Sequence, residues 1–594
     1  MQQTGLEAQT ASSAWQRLTG WVARWSTTAA LFYFTALSIL TTWPLARVMS
    51  TQMVGSLGDN IYFVWMIGWM QKALFQLRAN PFDVWFLNYP EGWNMAYTEI
   101  TPAQLALALP FSLLGGETFG YNAAMLLTFI LSGLTMFLWV RHLTGSKLAG
   151  LIAGTIYGFA PYHFAHFLIG HLNLSGTQWF PLYFWGLFDL LGARRFAWKP
   201  ALLAGLGLGL IALTSQYYVY MALLVSVPAV LVWLLLDRAQ LRSRVFWKGA
   251  GAALLAGLPL VALAVGPYVL LSRAGGLPDR GLGVVRPYSA SPTDFLLPST
   301  DHFLWGAWIG EHFNRDMWVE GTLTLGFVAL ILSGIALWKR RESAAPRPLL
   351  WALLAGGLTA VVLAMGTDLH WNGAPVEIAT PGFLSGLTAR ESIPLPLPGY
   401  ALFKWFPFYA KLRAHMRFGV FALVLVSAAA GIGAAWVLRR AGKRAALAAA
   451  VILLLVGLEF YPGPYREFTP VASRPVDAWL AQQLGQGAVA QFPFAESEDQ
   501  EQTYYTLVHG KPFIGGFFNA FPPPQYQRIQ PVMEQFPDAE SVQLLRELGV
   551  EWVIVHAPRY PDFAALRAAC EDLGLQYVTE MRGEAVFVLP SEVP

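Results

Sequence analysis

The sequence predicts a polytopic α-helical membrane protein with a small soluble α/β domain at its C-terminus. Of its 594 residues, 55% are hydrophobic and only 13% are charged, whereas a soluble globular protein carries about 25% charged residues. Apolar runs long enough to cross a bilayer, which takes about 20 residues, recur between residues 27 and 461. Beyond Pro462 these runs stop, and proline, glutamine and acidic residues become frequent.

About eleven membrane spans are predicted. The chain accordingly divides into a cytoplasmic tail (1–26), a membrane domain (27–462) and a soluble domain (463–594). The first span follows Arg17 and Arg24 as in a signal peptide, but the long hydrophobic chain after it favours an uncleaved anchor. The spans lie near 27–46, 120–140, 148–162, 176–192, 200–214, 216–236, 249–271, 319–338, 349–366, 417–438 and 445–461.

The loops on the two sides of these spans differ in charge and length. Five short loops together carry 17 basic residues against two acids, and short loops rich in Lys and Arg stay in the cytoplasm. We therefore expect a multi-pass protein of the inner (cell) membrane whose soluble domain is extracytoplasmic. The same outer side receives four longer polar segments, at 47–119, 161–175, 272–318 and 367–416.

The first outer loop, 47–119, contains two further apolar pieces at 61–77 and 102–114. Either both pieces cross the membrane or neither does, because the charge pattern of the later loops must be kept. The first piece is rich in Trp and Tyr, which favour the membrane interface. We prefer two helices on the outer membrane surface; the alternative is thirteen spans.

The soluble tail alternates helices and strands, which indicates a small α/β domain. Helices are predicted at 476–484, 541–548 and 563–573, and strands at 488–492, 550–556, 576–580 and 585–589. The single cysteine, Cys570, excludes an intramolecular disulfide and a cysteine-based metal site. The glycine run at 205–209 lies within a span, where small residues let helices pack closely.

Acidic residues of the first outer loop are candidates for catalysis. Asp59 follows the first span at the level where the bilayer ends, and a partly desolvated carboxylate there could act as a general base. An Asp before an apolar helix is also a common N-cap, so both roles stay open. Further along the loop, Glu91 and Glu99 are interleaved with aromatic residues, as in a sugar-binding cleft or an ordinary interfacial loop.

Three histidines and two tyrosines are candidates for contacts with a substrate. His163, His166 and His171 lie in one short outer segment, where they could bind a phosphate or a hydroxyl, or less readily a metal. Tyr217 and Tyr218 lie in a very short outer turn, at the same membrane level as Asp59. No metal ligand set is assigned, although an acid-rich loop could hold a divalent metal.

A dense basic cluster lies on the outer side, where the positive-inside rule does not place it. Arg413 and Arg417 belong to this cluster, within KWFPFYAKLRAHMRF. A lipid phosphate at the outer interface is the natural ligand, because Arg binds phosphate in a bidentate manner. Snorkelling anchors to anionic lipid are the alternative.

Four strings resemble a broad group of bacterial GT-C glycosyltransferases: GDNIYFVWMIGW, NYPEGWNMAYTE, FAPYHFAHFLIGHLNLSGTQWFPL and KLRAHMRFGVF. The resemblance covers roughly 40–460 and leaves the subfamily open. Members of this class take sugars from polyprenyl-phosphate donors at the outer face of the membrane. The resemblance implies that Asp59 deprotonates an acceptor hydroxyl, which attacks the anomeric carbon with inversion.

Other roles follow from the same resemblance. Glu91 or Glu99 would be a second acid, and Arg413 and Arg417 would stabilise the departing phosphate. The expected partners are a polyprenyl-phosphate sugar donor (hexosyl or pentosyl), a glycan or lipid acceptor and membrane lipids, but no nucleic acid. A transporter or flippase of envelope lipids and a non-catalytic membrane scaffold are the competing hypotheses.

Overall fold

The computed structural model describes residues 26–314, 316–343, 345–382, 391–517 and 522–590. The predicted N-terminal tail therefore lies outside the described residues, apart from Ser26. The membrane domain contains helices α1 (Ser26–Thr41), α2 (Asp59–Gln71), α3 (Pro102–Gly115), α4 (Glu117–Thr144), α5 (Lys147–Gly158), α6 (Pro161–Leu168), α7 (Leu172–Ser175), α8 (Phe180–Gly192), α9 (Trp198–Thr214), α10 (Gln216–Leu236), α11 (Arg244–Arg273), α12 (Leu282–Val285), α13 (Gly306–His312), α14 (Phe327–Trp338), α15 (Arg347–Ala364), α16 (Pro398–Trp405), α17 (Gly419–Ala441) and α18 (Ala445–Phe460).

A helix occupies each of the eleven stretches that the sequence predicts as spans. In the described part of the chain, five helical segments are long and apolar enough to cross a membrane, which identifies a membrane protein. These segments are Glu117–Thr144, Gln216–Leu236, Arg244–Arg273, Arg347–Ala364 and His415–Phe460, the last of which comprises α17 and α18.

The stretch predicted at 319–338 is only partly helical, because α14 begins at Phe327. Its N-terminus is capped from another helix: the Glu459 carboxylate in α18 accepts hydrogen bonds from the backbone amides of Phe327 and Val328. Residues before this cap, among them Glu320, form an irregular segment. The cap depends on a residue far away in sequence, so the start of α14 could not be read from local hydropathy.

Close helix packing explains the glycine run in α9. A Cβ on Gly205 would lie 2.2 Å from the carbonyl oxygen of Ala253 in α11, so only glycine fits at this crossing. The run is thus a packing surface, as the sequence indicates, and not a phosphate-binding turn.

The soluble domain has helices α19 (Pro475–Leu480), α20 (Glu496–His509), α21 (Pro524–Met533), α22 (Ala539–Glu547) and α23 (Phe563–Asp572). Its mixed sheet has the order β11-β12-β10-β9. Only β9 and β10 are parallel, and the other pairs are antiparallel. These strands are β9 (Ala488–Phe492), β10 (Val550–His556), β11 (Gln576–Met581) and β12 (Glu584–Val588). The predicted α/β class is confirmed, whereas α20 and α21 were not predicted.

Short strands occupy the outer loops and the start of the soluble domain. They are β1 (Gln52–Val54), β2 (Asp83–Val84), β3 (Trp93–Asn94), β4 (His370–Trp371), β5 (Ala374–Pro375), β6 (Glu377–Ala379), β7 (Ser392–Pro394) and β8 (Phe468–Pro470). Strand β1 of the first outer loop pairs antiparallel with β8 at the start of the soluble domain. Both regions therefore form one continuous structure.

Helix α2 is enclosed by protein instead of lying open on one face. It packs against α3, α4 and the soluble-domain helix α20. The indole N–H of Trp65 donates to the Thr506 hydroxyl in α20 (3.2 Å). This contact joins α2 to the soluble domain.

Candidate functional site

A cavity of about 740 Å³ lies where the first outer loop meets the segment after α6, helices α10 and α11, and the irregular stretches around Glu320 and Arg413. It is lined by six of the candidate residues that the sequence singles out. They are Asp59, Glu99, His171, Tyr217, Arg413 and Arg417. The tertiary structure thus brings together side chains from five separate regions of the chain.

Asp59 is the first residue of α2, one position after the N-cap Gly58. The N-cap role that the sequence left open is therefore taken by Gly58. The position still suits a negative charge, because the N-terminus of a helix carries a partial positive charge. The Asp59 carboxylate lies 3.0 Å from Nε2 of His171.

The turn between α6 and α7 brings His171 to this carboxylate. Gly170 has a φ of 78°, in the left-handed region that favours glycine. A Cβ at this position would lie 2.3 Å from the Cβ of Asn60, which is next to Asp59. Only a glycine lets the turn approach the start of α2 so closely.

Glu99 is the second carboxylate of the cavity, and it is held by two donors. Its oxygens accept hydrogen bonds from the Ser215 hydroxyl and from the Asn173 amide, the latter at 2.6 Å. Burial raises the pKa of Glu99 above its ordinary value, although these hydrogen bonds and the nearby Arg417 oppose the shift.

Glu320 forms a buried ion pair with Arg417. The Arg417 guanidinium donates from Nε to both Glu320 oxygens (3.0 and 3.1 Å) and from a terminal nitrogen to one of them (2.5 Å). Burial by itself would raise the pKa of Glu320, but the Arg417 charge, His166 and these hydrogen bonds lower it to about 2. The positive charge of Arg417 is thus largely balanced within the protein.

Sequence reasoning did not single out Glu320. One signal was available, because an ionisable residue within a predicted span marks a functional position by default. Glu320 lies inside the stretch predicted at 319–338.

Two other cations, Lys411 and Arg413, contact residues of the outer segment 272–318. Nζ of Lys411 donates to the Leu277 carbonyl (2.5 Å) and lies 3.1 Å from the Asp279 carboxylate. Arg413 donates to the Tyr288 hydroxyl, and its guanidinium lies 4.7 Å from the centre of that ring. The backbone amide of Arg280 donates to Ala410, which joins the two segments.

Apolar side chains of α10 and α11 line another part of the same cavity. They include Leu223, Val261, Val265 and Val269. Several apolar residues of these helices are exposed on the protein surface, among them Leu223 and Leu263. The cavity therefore combines acids, cations and an apolar wall formed by two helices.

Four predicted residues do not line the cavity. Glu91 is exposed and pairs with Arg528 of the soluble domain. His163 is buried, stacks on Phe129 and contacts the Thr128 hydroxyl (2.8 Å). Tyr218 is buried, where its hydroxyl lies 2.7 Å from that of Tyr162. His166 lies one layer behind the cavity wall, against His171.

In the described part of the chain, no group of three or more His, Cys, Asp or Glu side chains is arranged to hold a metal ion.

Comparison with known families matches residues 30–390 to the family described as "Domain of unknown function (DUF6311)". The chain belongs to this family. The match covers both the first outer loop and the segment with the three histidines. No curated protein matches the chain.

The fold is similar to that of solved glycosyltransferase structures. Arabinofuranosyltransferase AftD from Mycobacteria aligns with a TM-score of 0.56 at 15% identity, covering 96% of this chain and 40% of AftD. The chain therefore spans less than half the length of AftD. An oligosaccharyltransferase from Archaeoglobus fulgidus aligns with a TM-score of 0.48 at 14% identity, covering 95% of this chain and 73% of that one. The similarity to AftD confirms the predicted GT-C fold.

Proposed function

We propose that this protein is a membrane glycosyltransferase that moves a sugar from a polyprenyl-phosphate donor to a hydroxyl of a glycan or lipid acceptor, with inversion at the anomeric carbon. One observation carries the proposal: the Asp59 carboxylate, several cations and an apolar wall line the same cavity. Transfer from a lipid-linked sugar phosphate needs all three. A carboxylate can take the proton of the acceptor hydroxyl, cations can bind the phosphate leaving group, and an apolar wall can hold the hydrocarbon tail.

In this mechanism Asp59 is the general base. It takes the proton of the acceptor hydroxyl while the acceptor oxygen attacks the anomeric carbon. The bond between that carbon and the phosphate oxygen breaks, and the electron pair leaves with the polyprenyl phosphate. Glu99, held by Ser215 and Asn173, would bind sugar hydroxyls.

We assign the donor phosphate to Arg413 in preference to Arg417. The guanidinium of Arg417 already makes three hydrogen bonds to Glu320, so little of its charge is left for a ligand. Arg413 has only a neutral phenol as its bonded partner among the described contacts. Cations at the leaving oxygen stabilise the charge that develops there. Tyr217, whose ring lies 5.3 Å from the Arg417 guanidinium, would close this side of the cavity.

The test is donor turnover by the purified full-length chain. Synthetic pentosyl and hexosyl polyprenyl phosphates are offered, with water as the acceptor, and release of polyprenyl phosphate is measured. Asp59→Asn keeps the shape of the side chain but removes the base, so turnover should fall by about 10²–10⁴-fold. Unchanged turnover in this variant would contradict the proposal.

Two acids of the same loop serve as matched controls. Asp83 is exposed and bonded to Asn80 (2.7 Å), and Glu91 is exposed and bonded to Arg528. Neither lines the cavity, so Asp83→Asn and Glu91→Gln should retain turnover. Loss of turnover in Glu91→Gln would instead support the catalytic role that the sequence resemblance allows for Glu91. Binding of the donor without release of product in the wild-type chain would favour a non-catalytic scaffold.

A further inference from the structure

Two histidine rings lie in series behind the Asp59 carboxylate. Nε2 of His171 lies 3.0 Å from the carboxylate, and Nδ1 of His171 lies 2.8 Å from Nδ1 of His166. The ring centres of the two histidines are 5.1 Å apart. His171 lines the cavity, whereas His166 is fully buried and does not.

The contact between the two Nδ1 atoms can hold only one proton. One ring must donate there and the other must accept. If His166 donates, His171 accepts at Nδ1 and carries its own proton on Nε2, where it donates to Asp59. Both rings are then neutral. If His171 donates at Nδ1, it can still donate to Asp59 only by carrying two protons and a positive charge.

The surroundings of His166 favour the neutral arrangement. Its ring is packed against the ring of Tyr162, with centres 4.2 Å apart. Burial lowers the pKa of His166 well below its ordinary value, although Glu320 opposes the shift. The charged or titratable groups that face this ring are Glu320, Arg417, His163 and His171. Those that face His171 are Asp59, Glu99, Glu320 and His166.

We infer that His166 is a positioning residue that holds His171 as the neutral Nε2–H tautomer, and thereby keeps Asp59 an ionised and oriented base. This inference rests on the proposed function, in which Asp59 takes the acceptor proton. A positively charged His171 would attract the same carboxylate more strongly and weaken it as a base. His166 acts through His171 and touches neither donor nor acceptor.

Three variants separate positioning from packing. His166→Phe fills the space but removes the donor at Nδ1. His166→Asn places an amide N–H near the position of Nδ1 and restores a donor. His163→Phe is the matched control, because His163 lies on the same helix and is equally buried, but contacts Thr128 and not His171. Turnover of the full-length chain is measured from pH 5 to pH 9.

We expect His166→Phe to lower kcat about tenfold and to leave KM for the donor unchanged. Its acid limb should move to higher pH, because His166 no longer donates to Nδ1 of His171 and a second proton can bind there. His166→Asn should keep the wild-type limb. An unmoved limb in His166→Phe, or an equal shift in His163→Phe, would overturn the inference.

A second readout does not depend on turnover. Nitrogen-15 NMR of histidine-labelled protein at pH 7.5, assigned with the His166 and His171 variants, should show protonated Nδ1 in His166 and unprotonated Nδ1 in His171. An imidazolium at His171 would contradict the inference. If the wild-type chain releases no polyprenyl phosphate from any donor, the proposed function fails. The NMR measurement of the two tautomers still tests whether His166 fixes the tautomer of His171.

Discussion

At the scale of single residues, three carboxylates of the cavity have different partners. Asp59 is bound by a histidine, Glu99 by neutral donors and Glu320 by a guanidinium. These partners give the three acids different roles. Glu320 is firmly ionised, Glu99 is disfavoured in its ionised form by burial, and Asp59 is the acid that we propose exchanges a proton.

The buried pair of Glu320 and Arg417 should contribute strongly to stability. Glu320→Gln leaves the Arg417 charge unbalanced, and removal of one partner from a buried pair costs about 3–5 kcal/mol of unfolding free energy. The pKa of Glu320 lies at about 2 in place of 4.5, so its contribution is complete above pH 4.5 and is lost as the pH falls toward 2. Thermal unfolding in detergent from pH 3 to pH 7 should show the gap between variant and wild type narrowing at the acid end.

A double variant provides the control for this experiment. Glu320→Met with Arg417→Met removes both charges, and well-packed apolar replacements of a buried pair are often nearly neutral. The double variant should therefore be more stable than Glu320→Gln. A pH-independent gap between Glu320→Gln and the wild type would show that lost packing, not charge, is responsible.

At the scale of elements, the soluble domain supports the loop that carries Asp59. Strand β8 pairs antiparallel with β1, and α20 packs on α2. Asn88 adds a third contact, because its backbone amide donates to Gly515 (2.8 Å) and its side-chain amide to Gly516 (2.6 Å). The loop therefore obtains its shape from a domain that begins some 400 residues later in the chain.

Substitutions at Asn88 test this support. Asn88 has a φ of 49°, which glycine tolerates and alanine does not. Asn88→Gly should cost about 1 kcal/mol for the lost hydrogen bond, and Asn88→Ala about 1–2 kcal/mol more for the backbone strain. Unfolding measurements give these values, and hydrogen exchange should show α2 and α20 losing protection together. Equal stability of the Gly and Ala variants would contradict the argument from strain.

At the scale of the whole molecule, the charge of the loops predicts which side of the membrane each part faces. The sheet domain, the cavity and the first outer loop form one continuous structure, so all three should lie on the extracytoplasmic side. The basic turn between α17 and α18 should lie on the cytoplasmic side.

Cysteine labelling tests this orientation. The only cysteine, Cys570, is buried, so Cys570→Ala gives a background without a reactive thiol. On this background, Leu484→Cys lies in the soluble domain at a side chain that is 97% exposed, and a membrane-impermeant maleimide should label it in intact cells. Lys443→Cys, which is also exposed, should react only after the cells are permeabilised. The reverse pattern would overturn the orientation.

Most of the helices and strands were predictable because their signals are local. Strand β10 was predicted at 550–556 and forms at Val550–His556, and α10 was predicted at 216–236 and forms at Gln216–Leu236. Helix α14 was predicted eight residues too long because its start depends on a cap from Glu459. Helices α20 and α21 were missed because they are rich in polar residues, and α20 packs on α2 of the first outer loop.

The sequence by itself determined the membrane class, the positions of most helices and the presence of a small α/β domain, because hydrophobic length and periodicity are properties of neighbouring residues. Only the tertiary structure decided which candidates share a site. Asp59 meets His171, and Arg417 meets Glu320, through helix packing across 112 and 97 positions of the chain. Glu91, as plausible as Glu99 in sequence, is held at the surface by Arg528. No local sequence pattern predicts these contacts, because they depend on how the helices and loops pack around the cavity.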